Sequence, residues 1–171
     1  MSALRVLLDR LYLGAGVLAG VCLVLTLAFV TLQMVARALG FLAPGADDFA
    51  VYALTGTAFL ALPYAFRKGA HIRVGLILNK VPARRRRMVE LACLAVMVLL
   101  SSFLAWSGVA FVWTSYQLHD LATTYFATPL WIPRLLMAIG LVLLFVAVLE
   151  EFVSVVRGRQ PSYATGAAEE I

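Results

Sequence analysis

The chain is 171 residues long, 63% hydrophobic and 13% charged, with a net charge of +5. Water-soluble domains run near ~45–50% apolar and ~25% charged, so a soluble globular fold is excluded. The arginines stand beside long apolar runs, which makes them a signal of membrane topology and argues against a nucleic-acid partner.

Four charge-free runs organise the sequence: Leu11–Ala36, Phe49–Phe66, Leu91–Leu118 and Leu135–Leu149, of 26, 18, 28 and 15 residues. A bilayer core about 30 Å thick takes roughly 20 apolar helical residues to cross. The sequence therefore predicts an all-α membrane protein. Four transmembrane helices are expected over about 12–36, 48–66, 89–113 and 131–156, in one domain covering 1–160.

Ahead of the first span, Leu4, Leu7, Leu8 and Leu11 share one helical stripe, with Arg5, Asp9 and Arg10 off it. This lead reads either as amphipathic turns on the membrane surface or as the solvated start of span one. Ala36-Arg37-Ala38 has the look of a signal-peptidase site, but the preceding apolar run far exceeds the ~7–15 residues of such a peptide. Gly16 and Gly20 form a GxxxG pattern that permits close helix approach, and Gln33 is a candidate interhelical hydrogen-bonder. Cys22 and Cys93 each fall inside a span and read as free thiols behaving as small hydrophobes.

Gly40, Pro44 and Gly45 break the chain before span two. Asp47 and Asp48 open that span. One is expected as the N-cap and both suit the positive end of the helix dipole, which leaves the second for a partner or for Arg37. Pro63 removes one backbone hydrogen bond and crowds the carbonyl of Phe59, so a kink is expected there.

Residues 67–88 are basic. Val74, Ile77, Leu78 and Val81 share one helical face, while Arg73, Lys80, Arg84 and Arg87 fall on another. This predicts a short interfacial amphipathic helix between helices 2 and 3, ended by Pro82. Arg73, Lys80, Arg84, Arg85, Arg86 and Arg87 are the residues expected to hold anionic phospholipid, at about 1 kcal/mol each. His71 reads as a hydrogen-bonder to backbone or headgroup, with a pH switch as the alternative.

After span three, Pro129, Trp131 and Pro133 mark the start of span four. Trp106, Trp113 and Trp131, with Tyr116 and Tyr125, are placed like interfacial aromatics. Glu150 and Glu151 fall at the far end of span four, where interfacial solvation is expected, with pairing to Arg157 or the basic block as the alternative. The tail 161–171 is small and polar and is expected to be a disordered cytoplasmic segment.

The charges also give an orientation. Arg5, Arg10, the basic connection, Arg157 and Arg159 collect on one side. Arg37, Asp47, Asp48, Asp120 and Arg134 collect on the other. The positive-inside rule places both termini in the cytoplasm, which requires an even number of spans.

Chemistry is sparse. The spans contain no carboxylate suited to proton coupling and no paired histidines, since His71 and His119 lie in connections. No P-loop, HExxH or nucleophile elbow occurs. The residues offer no catalytic, metal, substrate or cofactor site, and the chain does not read as an enzyme. A self-associating channel or carrier needs a polar stripe, and Thr26, Thr31, Gln33, Thr55, Thr57, Ser101, Ser102 and Ser107 are too scattered to form one. A membrane anchor for another complex is the remaining alternative.

Three segments read together are more specific: Asp47-Asp48-Phe49 with Tyr52; Arg67-Lys68-Gly69-Ala70-His71-Ile72-Arg73-Val74; and Thr128-Pro129-Leu130-Trp131-Ile132-Pro133, with Gly140 beyond. In this pattern the chain resembles the small membrane subunit (Q-type, DctQ-like) of TRAP transporters, the tripartite ATP-independent periplasmic family. The likeness runs over about residues 10–156. The acidic pair here follows Gly45-Ala46, where the family often shows a Trp ahead of a Glu.

The resemblance implies a sodium-coupled importer in the bacterial inner membrane. A periplasmic binding protein captures an organic acid, such as a dicarboxylate or sialic acid. A large multi-span subunit carries it by an elevator-like movement, and the small subunit braces the static part. On that likeness Asp47, Asp48, Tyr52, Arg67, Gly69, His71, Pro129, Trp131 and Pro133 are the candidate partner or assembly residues.

Overall fold

The computed structural model describes residues 3–68, 83–124 and 126–157, with side chains from 6 and from 88 in the first two segments. These residues form four α-helices: α1 (Ala3–Ala38), α2 (Ala46–Arg67), α3 (Ala83–Gln117) and α4 (Trp131–Val156). All four are long and apolar enough to cross a membrane. The only extended pairing among the described residues is the isolated bridge between Leu121 and Pro129.

Two helices start well before the spans expected from the sequence. α1 starts at Ala3, so the amphipathic lead is continuous with the first span. α3 starts at Ala83, and Arg84–Arg87 therefore occupy its first turns. The interfacial helix expected between helices 2 and 3 falls mainly on residues 69–82, outside the described residues. At 1.5 Å per residue α2 is about 33 Å long, a bilayer's thickness, whereas α1 and α3 reach about 54 and 52 Å.

The helices stand in a row. α1 packs on α2, α2 on α4, and α4 on α3. The spatial order is 1-2-4-3, so α2 and α4 form the middle and α1 and α3 the two edges. Packing surfaces are built from small residues, as apolar helices in lipid require for close approach. α2 buries Ala46, Ala50, Ala53, Gly56, Leu60 and Pro63. α1 buries Tyr12, Ala15, Ala19 and Cys22 on its α2 side.

The middle of the row is its tightest point. A Cβ added to Gly140 of α4 would collide with the carbonyl oxygen of Phe59 in α2. That carbonyl is the one that Pro63, four residues on and inside α2, cannot bond. A hydrogen of Gly140 Cα thus points at an acceptor that lacks its helical donor, a weak Cα–H···O contact worth about 0.5–1 kcal/mol. One turn away, a Cβ on Gly56 would stand 2.9 Å from Cys22 Sγ and 3.2 Å from Leu136 Cδ1, so α1, α2 and α4 meet there. Only the first glycine of the GxxxG pattern is used: Gly16 lies against the Tyr64 ring, while Gly20 has open space beside it.

These contacts predict opposite outcomes for two Gly→Ala changes. Gly140→Ala should lower the unfolding midpoint in mild detergent, with an overpacking penalty of about 1–3 kcal/mol, because a backbone carbonyl cannot move aside. Gly20→Ala should be neutral or stabilising by up to ~1 kcal/mol. Equal midpoints for the two variants would contradict the close α2–α4 approach.

Candidate functional site

The charged and aromatic side chains gather at the two ends of the row. At one end Arg67, the last residue of α2, reaches both neighbouring helices. Its Nη2 lies 2.8 Å from Asp9 Oδ1 of α1, and its Nη1 lies 3.2 Å from Glu150 Oε2 of α4. Its Nε–H also donates to Asp9 Oδ1 at 3.1 Å. The guanidinium stands 5.8 Å from the ring centre of Tyr12, a residue of α1 that is almost wholly buried. One arginine therefore clasps three helices through charge-assisted hydrogen bonds. The fork of guanidinium donors suits this two-sided contact better than a lysine would.

This clasp decides between the two expectations for the far end of α4: the alternative, pairing with the basic block, holds for Glu150 through Arg67. Glu150 is not simply solvated but paired with Arg67, and Glu151 is 3% exposed. Glu150 is paired because this part of α4 lies beside the C-terminal end of α2. Arg67, expected among the partner contacts, faces into the chain.

At the other end α2 begins on Gly45, which has φ +80° and makes no side-chain cap. Neither aspartate is the N-cap, in contrast to the sequence expectation. Asp47 and Asp48 lie in the first turn, where they complement the helix dipole. No ion pair joins either to Arg37 among the described residues. The left-handed φ of Gly45 favours glycine, and a Cβ there would also strike the Phe126 ring at 2.5 Å. Phe126 comes from the α3–α4 connection and lies 6.2 Å from Phe49, which stacks on Phe29 at 5.7 Å and meets Tyr52 edge-on at 6.1 Å. Four rings thus tie α1, α2 and the α3–α4 connection together.

The α3–α4 connection is itself fastened. α3 closes on a two-bond cap, with Asp120 N–H donating to Ser115 O at 3.1 Å and His119 N–H to Tyr116 O at 3.3 Å. His119 takes the left-handed position at φ +51°. The Asp120 side chain then accepts from Arg134 Nη1 of α4 at 2.8 Å, and Arg134 sits 4.1 Å over the Phe111 ring centre. Leu130 N–H donates to Asp120 O at 3.0 Å. Pro129 pairs with Leu121, Trp131 meets Tyr116 edge-on at 6.0 Å, and Pro133 is buried. The Pro-Leu-Trp-Ile-Pro segment thus secures this connection.

Trp106 stands apart from the aromatic cluster formed by Trp113, Tyr116 and Trp131. It precedes Trp113 by seven residues, about 10 Å along the helix axis, and is largely exposed on α3. Gly69, His71, Arg73, Lys80 and Tyr125 lie outside the described residues. Arg84, Arg85, Arg86 and Arg87 lie on the first turns of α3.

Between the two ends the row offers little polar surface. The hydroxyls of Thr26, Thr55, Thr57, Ser101 and Ser102 each donate to a carbonyl three or four residues back in their own helix, at 2.8–3.2 Å. Such back-bonding satisfies each of these hydroxyls within its own helix. Among the described residues no three metal-ligating side chains come together. A small cavity of about 200 Å³ between α1 and α2 at the Asp47 end is lined by Gln33, Arg37, Phe41 and Asp47 with the connecting loop.

A family model described as "Tripartite ATP-independent periplasmic transporters, DctQ component" matches residues 26–158, from within α1 to just past α4. A comparison with curated proteins finds no match.

The clasp predicts that Arg67→Ala destabilises the chain by about 1.5–3 kcal/mol, the range for hydrogen bonds to charged groups. A double-mutant cycle with Glu150→Gln, read by unfolding in detergent, should show coupling. Arg37→Ala, exposed at the opposite end, should be near neutral. Additive effects of Arg67→Ala and Glu150→Gln would contradict the clasp.

Proposed function

The chain belongs to the DctQ component family of the tripartite ATP-independent periplasmic transporters, and from that membership we propose that it is the small scaffold subunit of a sodium-coupled importer of organic acids. Family and helices together make it a multi-pass inner-membrane component of a transporter that works with a large membrane subunit and a periplasmic binding protein. In the proposed division of labour, the binding protein delivers a dicarboxylate, sialic acid or similar acid. The large subunit moves it by an elevator mechanism. This chain braces the static frame and carries no path of its own.

The observation that supports this reading most is the distribution of charge. The four apolar runs hold no Asp, Glu, Lys, Arg or His, and the ion pairs of Arg67 and Arg134 lie at the two ends of the row. A carrier places charge where its cargo passes; a frame places charge where water begins. An elevator works against something that does not follow it. Pulling one arginine toward the bilayer centre costs roughly 2.5–3.5 kcal/mol on the lower scale, so basic residues at one boundary resist vertical displacement.

Orientation follows the positive-inside rule. The Arg67 end, both termini and the basic connection face the cytoplasm, where Arg73, Lys80 and Arg84–Arg87 hold anionic lipid. Asp47, Asp48 and Asp120 face the periplasm, near the binding protein. Gly69 and His71 belong to assembly with the large subunit.

Two experiments test this reading. Proteoliposomes with the large subunit and binding protein should take up substrate only when this chain is present; full uptake without it contradicts the scaffold role. For orientation, Asp47→Cys in a background lacking Cys22 and Cys93 should react with an impermeant maleimide from the periplasmic side. Reaction from the cytoplasmic side alone would reverse the topology.

A further inference from the structure

The outer face of α1, opposite α2, carries a shallow groove of about 530 Å³ lined by Arg10, Leu13, Gly14, Val17, Leu18 and Val21. We propose that this groove binds one anionic phospholipid, with its phosphate on Arg10 and one acyl chain along Leu13–Val21. The site is separate from the basic connection and from Arg84–Arg87, and it does not depend on the scaffold reading.

Three observations carry the assignment. The first is depth. Asp9, next to Arg10, touches Arg67 at the very end of α2, so Arg10 stands where the apolar part of the row stops. The second is length. Arg10 to Val21 is eleven residues, about 16 Å of helix, or one half of a hydrocarbon core about 30 Å thick. A groove of that reach matches one leaflet. The third is charge. Asp9 is engaged by Arg67 on the α2 side of α1, and Arg10 makes no ion pair among the described residues. A guanidinium at the mouth of a groove otherwise lined by aliphatic residues and glycine complements a phosphate, which it can hold bidentately.

Gly14 makes the groove. A Cβ there meets nothing within 4 Å, so the space beside the helix is open and a larger side chain can enter it without disturbing the fold. Gly14→Leu is therefore a variant that fills the site and leaves the α1–α2 contact in place.

The test uses the full chain purified in mild detergent with the large subunit it retains. A phosphatidylglycerol bearing a diazirine on one acyl chain is photolysed, and the adducts are mapped by mass spectrometry. Adducts should concentrate on the Leu13–Val21 stretch and fall about ten-fold in Arg10→Gln, the loss expected for one charge-assisted hydrogen bond. They should also disappear in Gly14→Leu, and a phosphatidylcholine probe should label this stretch much less. Adducts spread evenly over the exposed faces of α1 and α3 would overturn the proposal, as would labelling unchanged by Arg10→Gln. So would labelling of α1 that appears only once the large subunit is removed, since a partner helix would then be the occupant.

Discussion

The contact between α2 and α4 makes one object out of two hairpins. α1 packs on α2 and α3 packs on α4, and the α2–α4 pairing is what joins them. Gly140 lies against Phe59 because Pro63 has left that carbonyl without a helical partner. A backbone acceptor in hydrocarbon must find some donor, and the bare Cα of a glycine is what lets the neighbouring helix come close enough to offer one. The middle of the row is therefore fixed by a backbone defect in one helix and a missing side chain in the next.

Each end reinforces that joint with different chemistry. Arg67 adds charge-assisted bonds from α2 to α4 and to α1 at one end. At the other, Phe126 reaches from the α3–α4 connection over Gly45 at the start of α2. Three fastenings along the depth of the row hold its helices in the order 1-2-4-3. A row fastened in this way suits the proposed frame. Its faces and edges are free to meet lipid or a larger partner, while its charges stay at the boundaries where water meets their cost.

The four spans were legible because lipid demands long charge-free runs. α2 (Ala46–Arg67) and α4 (Trp131–Val156) are each built round one of these runs. α3 starts earlier than its apolar run because Arg84–Arg87 are good helix formers with no breaker between Pro82 and Met88. The acidic opening of α2 suggested a side-chain cap, but Gly45 with its left-handed φ takes that position under Phe126. Arg67 stood out in the sequence, yet its partners Asp9 and Glu150 lie 58 and 83 residues away. Pairing them requires the helix order, and helices apolar on most sides do not reveal their order. Gly140 belongs to a sequence pattern, but its reason appears only when Phe59 is beside it.

On the proposed function, the row keeps its shape while the large subunit moves. Pulsed electron spin resonance between labels at the exposed positions Val24 on α1 and Phe103 on α3 measures this directly, in the assembled transporter with and without sodium, substrate and binding protein. The account predicts one narrow distance distribution that stays the same in every state. A distribution that shifts by several ångströms or splits on substrate binding would show that the two hairpins move apart, and would contradict it.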